Sequence, residues 1–227
     1  MFGVTVNAIS IVIGSLLGIL LKKWITPAIE RAIQRGLGFC TLVVGIKMAL
    51  RFEHVLLVIL CVVVGGIIGT LLNIDENMER LGDKLKRLIE SPDSDGKFST
   101  GFSLCSILFC TGAMAIVGSI ESSLYQNHET IFTKSMMDGI FSGPMAAIYG
   151  IGVAFSALSV FVYQGIIALA AKHVVIWTNP TVMNDISGVG GILVAMIGAK
   201  VSHLTDISLG AYFPAILLAL IFAPFFC

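Results

Sequence analysis

Apolar runs of about bilayer length recur along this chain between short polar turns, and their lengths set the predicted architecture. Residues 4–21 carry no charge and would form a helix of about 27 Å, close to the ~30 Å hydrocarbon core of a bilayer. Further runs cover 37–50 and 55–72, joined by the turn Arg51-Phe-Glu-His54, and then 101–124, 136–173, 185–201 (entered as early as Pro180) and 209–226. A single helix over 136–173 would be about 57 Å long, nearly twice the bilayer core, so its length predicts two spans with a turn near Ser156 to Ser159. One long tilted helix is the alternative. The pattern predicts an all-α, polytopic transmembrane bundle of eight spans, or seven if that run is undivided.

Two polar intervals interrupt the runs. Residues 24–35 alternate Ile25, Ile29 and Ile33 with Glu30, Arg31 and Arg35, a pattern suited to the membrane interface. In residues 74–100, Ile74, Met78, Leu81, Leu85 and Leu88 recur at helical spacing among acids and bases, before the apolar-poor linker Ser91-Pro-Asp-Ser-Asp-Gly. The chain therefore divides into three parts: 1–73 with three spans and an interfacial helix, 74–100 as a surface helix and linker, and 101–227 with the remaining spans.

Composition confirms the environment. Hydrophobic residues make up 56% of the chain and charged ones only 12%, the mean hydropathy is +0.96, and soluble domains carry about 25% charged residues. The bases Lys22, Lys23, Arg31, Arg35, Arg80, Lys84, Lys86, Arg87 and Lys97 all fall on one side of the predicted spans, which places loops 22–36 and 74–100 in the cytoplasm and the N-terminus in the periplasm. A retained first anchor, with Lys22 and Lys23 after it and no base before it, fits better than a cleaved signal. The lipid bilayer is the first partner implied. Nothing in the charge pattern suits nucleic acid. The five cysteines form no CxxC pair and have no histidine at ligand spacing, so they read as small packing residues.

The chemistry-bearing residues are those that should not be there. Asp138 and Asp185 lie in stretches otherwise apolar enough for lipid, where a carboxylate needs a partner, a wet cavity or an ion path. Around them, Asn7, Ser10, Thr111, Ser119, Ser142, Asn184 and Ser187 are polar positions in spans and are expected to face the bundle interior. Small and polar residues gather at Cys110-Thr-Gly-Ala-Met-Ala and at Asn184-Asp-Ile-Ser-Gly-Val-Gly-Gly, which predicts two discontinuous helices broken near Gly112 and Gly188; unbroken helices with glycine packing faces are the alternative. Asp185, with Asn184 and Ser187, would supply an oxygen cage for Na⁺, and an anionic solute could sit at helix N-termini near Gly112 or Gly188. For Asp138, a local salt bridge with Lys134 one turn away competes with an ion-coupling role.

Glycine pairs at four-residue spacing, Gly14 and Gly18, Gly65 and Gly69, Gly139 and Gly143, predict close helix packing. A faint internal repeat relates Thr5-Val-Asn-Ala-Ile-Ser, continuing to Gly14, to Thr181-Val-Met-Asn-Asp-Ile-Ser, continuing to Gly191. Its two copies run the same way in an eight-span chain and oppositely in a seven-span one.

The strings Cys110-Thr-Gly-Ala-Met-Ala-Ile-Val-Gly-Ser-Ile120, Lys134-Ser-x-x-Asp138-Gly and Asn184-Asp-Ile-Ser-x-Val-Gly-Gly191 together resemble the YqgA-type family of uncharacterised bacterial inner-membrane proteins. The resemblance covers essentially the whole chain and implies a plasma-membrane protein of the transporter type with no settled substrate.

Three functions compete. A secondary transporter would couple movement of a small solute or ion to H⁺ or Na⁺ through the intramembrane carboxylates and would need no other cofactor. A membrane scaffold, assembling with itself as a homo-oligomer or with a partner, would use the glycine faces and the amphipathic helix. An enzyme would need Cys110 beside a base, yet His54, His128, His173 and His203 all fall near span ends.

Overall fold

The computed structural model describes residues 1–74, 76, 77, 80, 84, 97–111, 113–171 and 179–226. Among them there is no strand. Nine principal helices follow in order among the described residues: α1 Phe2–Leu21, α2 Pro27–Ala49, α3 Val55–Leu71, α4 Lys97–Cys110, α5 Ala113–Leu124, α6 Glu129–Tyr149, α7 Gly152–Ala170, α8 Pro180–Val201 and α9 Phe213–Phe226. Four stretches are long and apolar enough to cross a membrane, Phe2–Trp24, Pro27–Ala49, Gly152–Ala170 and Pro180–Val201, and the bent α4–α5 pair would make a fifth. α3 is apolar but shorter, and α6 has the length while carrying Glu129, Lys134 and Asp138. The chain is thus an all-α membrane helical bundle. Met78, Leu81, Leu85 and Leu88 of the expected surface helix lie outside the described residues, as do the linker after it, Gly112, His173 and Cys227.

Boundaries follow local chemistry. At the start of α8, Pro180 needs no N–H partner, and the Asn179 side chain accepts from the Thr181 amide at 3.0 Å. The expected interfacial segment and second span are one helix, α2, because nothing after Pro27 breaks it. The turn expected at Ser156 to Ser159 lies instead at Gly150, which has φ +77° and ψ −156°, a conformation open in practice only to glycine. Ser156 stays helical by donating its hydroxyl to the Val153 carbonyl at 2.6 Å.

The chain forms two compact units that interleave along the sequence. Unit 1 comprises Met1–Ile33, the described residues of Met78–Cys110, and Met114–His173 up to 171; unit 2 comprises Gln34–Asn77, Thr111–Ala113 and the described residues of Val174–Cys227.

In unit 1, α1 and α6 run parallel with backbones in contact. A methyl group on Gly14 would strike the Gly139 carbonyl, and one on Gly18 the Gly143 carbonyl. Large apolar side chains of α1, among them Ile13, Leu17 and Leu20, point outward, while Gly3, Asn7, Ser15 and Gly18 are buried. This is the usual membrane arrangement, in which small residues let backbones approach and bulky ones face lipid.

In unit 2, α2 and α8 pack antiparallel through the same device. Gly191 meets the Ala49 amide and the Gly45 carbonyl, and Gly198 meets Leu42 and Gly38. α3 packs on α9 and the short turn before it, with Gly65 against Ala215 and Gly69 against Ala211. The break expected at Gly188 is absent: α8 is continuous through 184–191. Its glycines serve close approach, and a Cβ at Gly188 would stand 2.7 Å from that of Phe52. The other expected break does occur. α4 stops at Cys110, α5 starts at Ala113, and the two meet at 62°.

Candidate functional site

Lys134 and Asp138 are one turn apart on α6, so their side chains meet on one face. Lys134 Nζ lies 2.9 Å from Asp138 Oδ1 and 2.8 Å from Oδ2, and both residues are buried. Asn7 reaches in from α1 and donates from Nδ2 to Asp138 Oδ2 at 3.1 Å. The same nitrogen donates to Gln164 Oε1 on α7 at 3.2 Å. Four polar side chains from three helices thus form one network near the middle of α6.

The charge of Asp138 fixes how the amides point. An ionised carboxylate only accepts, so Asn7 must turn its nitrogen toward it, and Gln164 must then offer its oxygen to that nitrogen. Two atoms are left over, Asn7 Oδ1 and Gln164 Nε2, both buried and without a hydrogen-bond partner. One is an acceptor and the other a donor. Buried groups of this kind are normally satisfied, and the exceptions call for a functional or solvent-based account.

Asp185, in unit 2, has different work. Its Oδ1 accepts the backbone amides of Glu53 at 2.8 Å and His54 at 2.9 Å, and His54 Nδ1 lies 2.7 Å from Oδ2. These amides precede α3, whose N-cap is His54, so Asp185 caps that helix from a distance. Asn184 turns elsewhere and donates to Glu53 Oε1 at 3.0 Å. Neighbours on a helix diverge by about 100°, so Asn184 reaches the Glu53 side chain while Asp185 takes the Glu53 and His54 backbone amides.

The remaining expected residues scatter. Ser119 and Ser142 are buried and bond back to their own helices, at the Ala115 carbonyl (2.6 Å) and the Gly139 carbonyl (2.9 Å). Ser10 flanks Gly139 at the α1–α6 contact. Thr111 is buried in the gap between α4 and α5, and Ser187 is buried on α8. Of the expected set, the structure therefore joins Asn7 to Asp138 directly. Gln164, Glu53 and His54 were missing from that set. Gln164 had a signal, being an amide within an apolar 19-residue helix, whereas nothing local marks Glu53 and His54 as partners of a residue more than 130 positions away.

Among the described residues no group of three or more His, Cys, Asp or Glu gathers to hold a metal ion. His54 is engaged by Asp185, Ser122 Oγ lies 2.8 Å from His128 Nδ1, and Gln34 Oε1 lies 3.4 Å from His203 Nε2.

Residues 2–224 match the model of a family described as a protein of unknown function, DUF554. The chain belongs to this family. Over 205 residues, 88% of this chain and 86% of the relative, it is 30% identical to the uncharacterized membrane protein YdfK of Bacillus subtilis (strain 168). Over 221 residues, 96% of this chain and 94% of the relative, it is 23% identical to the uncharacterized protein YqgA of Escherichia coli (strain K12). No solved structure matches the chain. DUF554 thus spans the Asn7, Asp138 and Gln164 positions together, and the resemblance read from the three sequence strings is to a relative in this set.

Proposed function

We propose that this DUF554 protein is a secondary transporter of the bacterial inner membrane, moving a small solute or ion with coupling through Asp138. In this reading loops 22–36 and 74–100 face the cytoplasm and the N-terminus faces the periplasm. The observation that carries it is the buried Lys134–Asp138 pair, bound through Asn7 to Gln164, with one acceptor and one donor left open. Ionisable residues at such depth are expensive, and they mark ion or proton relays more often than they serve stability. A proton suits the site better than sodium, because the tethered ammonium of Lys134 already holds both carboxylate oxygens. Protonation of Asp138 would release Lys134 and free Asn7 to turn its oxygen inward, which changes how α1 is held to α6 and α7. Asp185 drops out as the coupling group, since its acceptor positions are taken up in capping α3.

The assembly reading draws on the glycine faces and on the amphipathic helix expected in residues 74–100, most of which lies outside the described residues. Of the glycines, Gly14, Gly18, Gly65 and Gly69 are used inside the units. The test is purified protein in liposomes, screened across solute classes for uptake driven by a pH or sodium gradient. Coupled uptake lost in Asp138→Asn and also in Lys134→Met/Asp138→Asn, the charge-free variant expected to keep most of its stability, supports the reading; normal coupled flux by either rejects it.

A further inference from the structure

Outside the site just described, unit 1 carries a groove of about 560 Å³ between α1 and α6. Its walls are almost wholly apolar, and it follows Ser10, Gly14, Gly18 and Leu21 on α1 beside Gly139 and Gly143 on α6. These glycines bring the two backbones together, and Ile13 and Leu17 of α1 with Met136 and Ile140 of α6 line the groove beside them. From Ser10 to Leu21 it runs roughly 17 Å at 1.5 Å per residue, about half of a ~30 Å hydrocarbon core and thus the depth of one leaflet.

The end of the groove is charged. Directly after Leu21 come Lys22 and Lys23, both exposed, and Trp24, which is 73% exposed with Lys23 Nζ 5.8 Å from its ring centroid. Arg31, the fifth residue of α2, is exposed as well. The one acid in this stretch, Glu30, lies 3.5 Å from Lys97 and is partly neutralised there. Tryptophan and lysine together are what a helix presents at the headgroup level.

We infer that this groove holds one acyl chain of an anionic phospholipid whose headgroup rests on Lys22, Lys23 and Arg31. An apolar slot of leaflet depth fits a chain, and three exposed cations at its mouth select a negative headgroup over a zwitterionic one. The inference stands apart from the transport reading, since it uses none of Lys134, Asp138, Asn7 or Gln164.

The experiment is native mass spectrometry of the full-length protein released from membranes containing phosphatidylglycerol and phosphatidylcholine in equal amounts. Retention of phosphatidylglycerol over phosphatidylcholine is expected. A Lys22→Gln/Lys23→Gln variant should lose that preference by roughly thirtyfold, the equivalent of about 1 kcal/mol for each base near an anionic surface. Ile13→Trp places an indole in the groove from a position already 53% exposed, and should abolish the retained lipid with the melting temperature unchanged. Leu17→Trp, at 56% exposure, serves if the first variant does not fold. Equal retention of both lipids by the wild type, or phosphatidylglycerol adducts indifferent to the lysine and indole variants, would overturn the inference. So would a dimer that the indole disrupts while lipid retention stays the same.

Discussion

His54 and Asp185 are joined twice, by the His54 backbone amide to Oδ1 at 2.9 Å and by the ring nitrogen 2.7 Å from Oδ2. A carboxylate buried in α8 therefore holds the entrance of α3. Removing it in Asp185→Ala leaves two amides without their acceptor, at about 1–3 kcal/mol for unmade buried bonds. Thermal unfolding in detergent should show the loss, and Asp185→Asn, which keeps an acceptor oxygen, should lose less. Coupled uptake should persist in the Asn variant, which separates capping from coupling.

The Lys134–Asp138 pair should behave as a unit. Lys134→Met leaves a buried carboxylate alone, which typically costs about 3–5 kcal/mol, whereas Lys134→Met/Asp138→Asn removes both charges and should recover most of it. Stability measured for both single variants and the double variant checks this. Near-additive effects would mean that the pair is not coupled.

Glycine replacements should split sharply by position. Gly18→Ala and Gly69→Ala drive a methyl into the carbonyls of Gly143 and Ala211, so the helices must separate, and folded yield should fall steeply. Gly36→Ala meets nothing within 4 Å and lies in a helix. Helix propensity then predicts a gain of up to about 1 kcal/mol, readable as a raised melting temperature.

Gly150→Ala has room for its methyl group yet should still be destabilising, because φ +77° with ψ −156° is nearly closed to other residues. The cost is about 1–3 kcal/mol of backbone strain. Gly150→Asn should not rescue it, since ψ here lies far from the left-handed helical region that asparagine tolerates.

Helices were legible wherever an apolar run had a definite length, as at α1, α3 and the start of α8 at Pro180, though α3 is shorter than the helices long enough to cross a membrane. The division of 136–173 was legible as a need but not as a place: Ser156 and Ser159 look like turn residues, yet a helix can absorb a serine hydroxyl on its own carbonyl, and the reversal fell to the glycine whose conformation only it can hold. The two glycine-rich stretches gave opposite outcomes from similar composition. One breaks beside Thr111; the other stays helical because Gly45 and its neighbours on α2 lie against it. The faint repeat has the same limit. Gly14 and Gly191 each sit on a partner's backbone, but α6 runs parallel to α1 while α2 runs antiparallel to α8. Asn7 and Asp138 were legible as misplaced polarity, and Gln164 followed the same rule. That Asp185 is a helix cap was not legible, since its partners are brought to it by tertiary folding alone.

Because backbone meets backbone where Gly14 faces Gly139 and Gly18 faces Gly143, α1 and α6 have little slack to slide along each other. They form a single strut. In the transport reading a working stroke would carry both together, and the contact that a proton on Asp138 would alter is the Asn7 nitrogen that bridges α6 and α7.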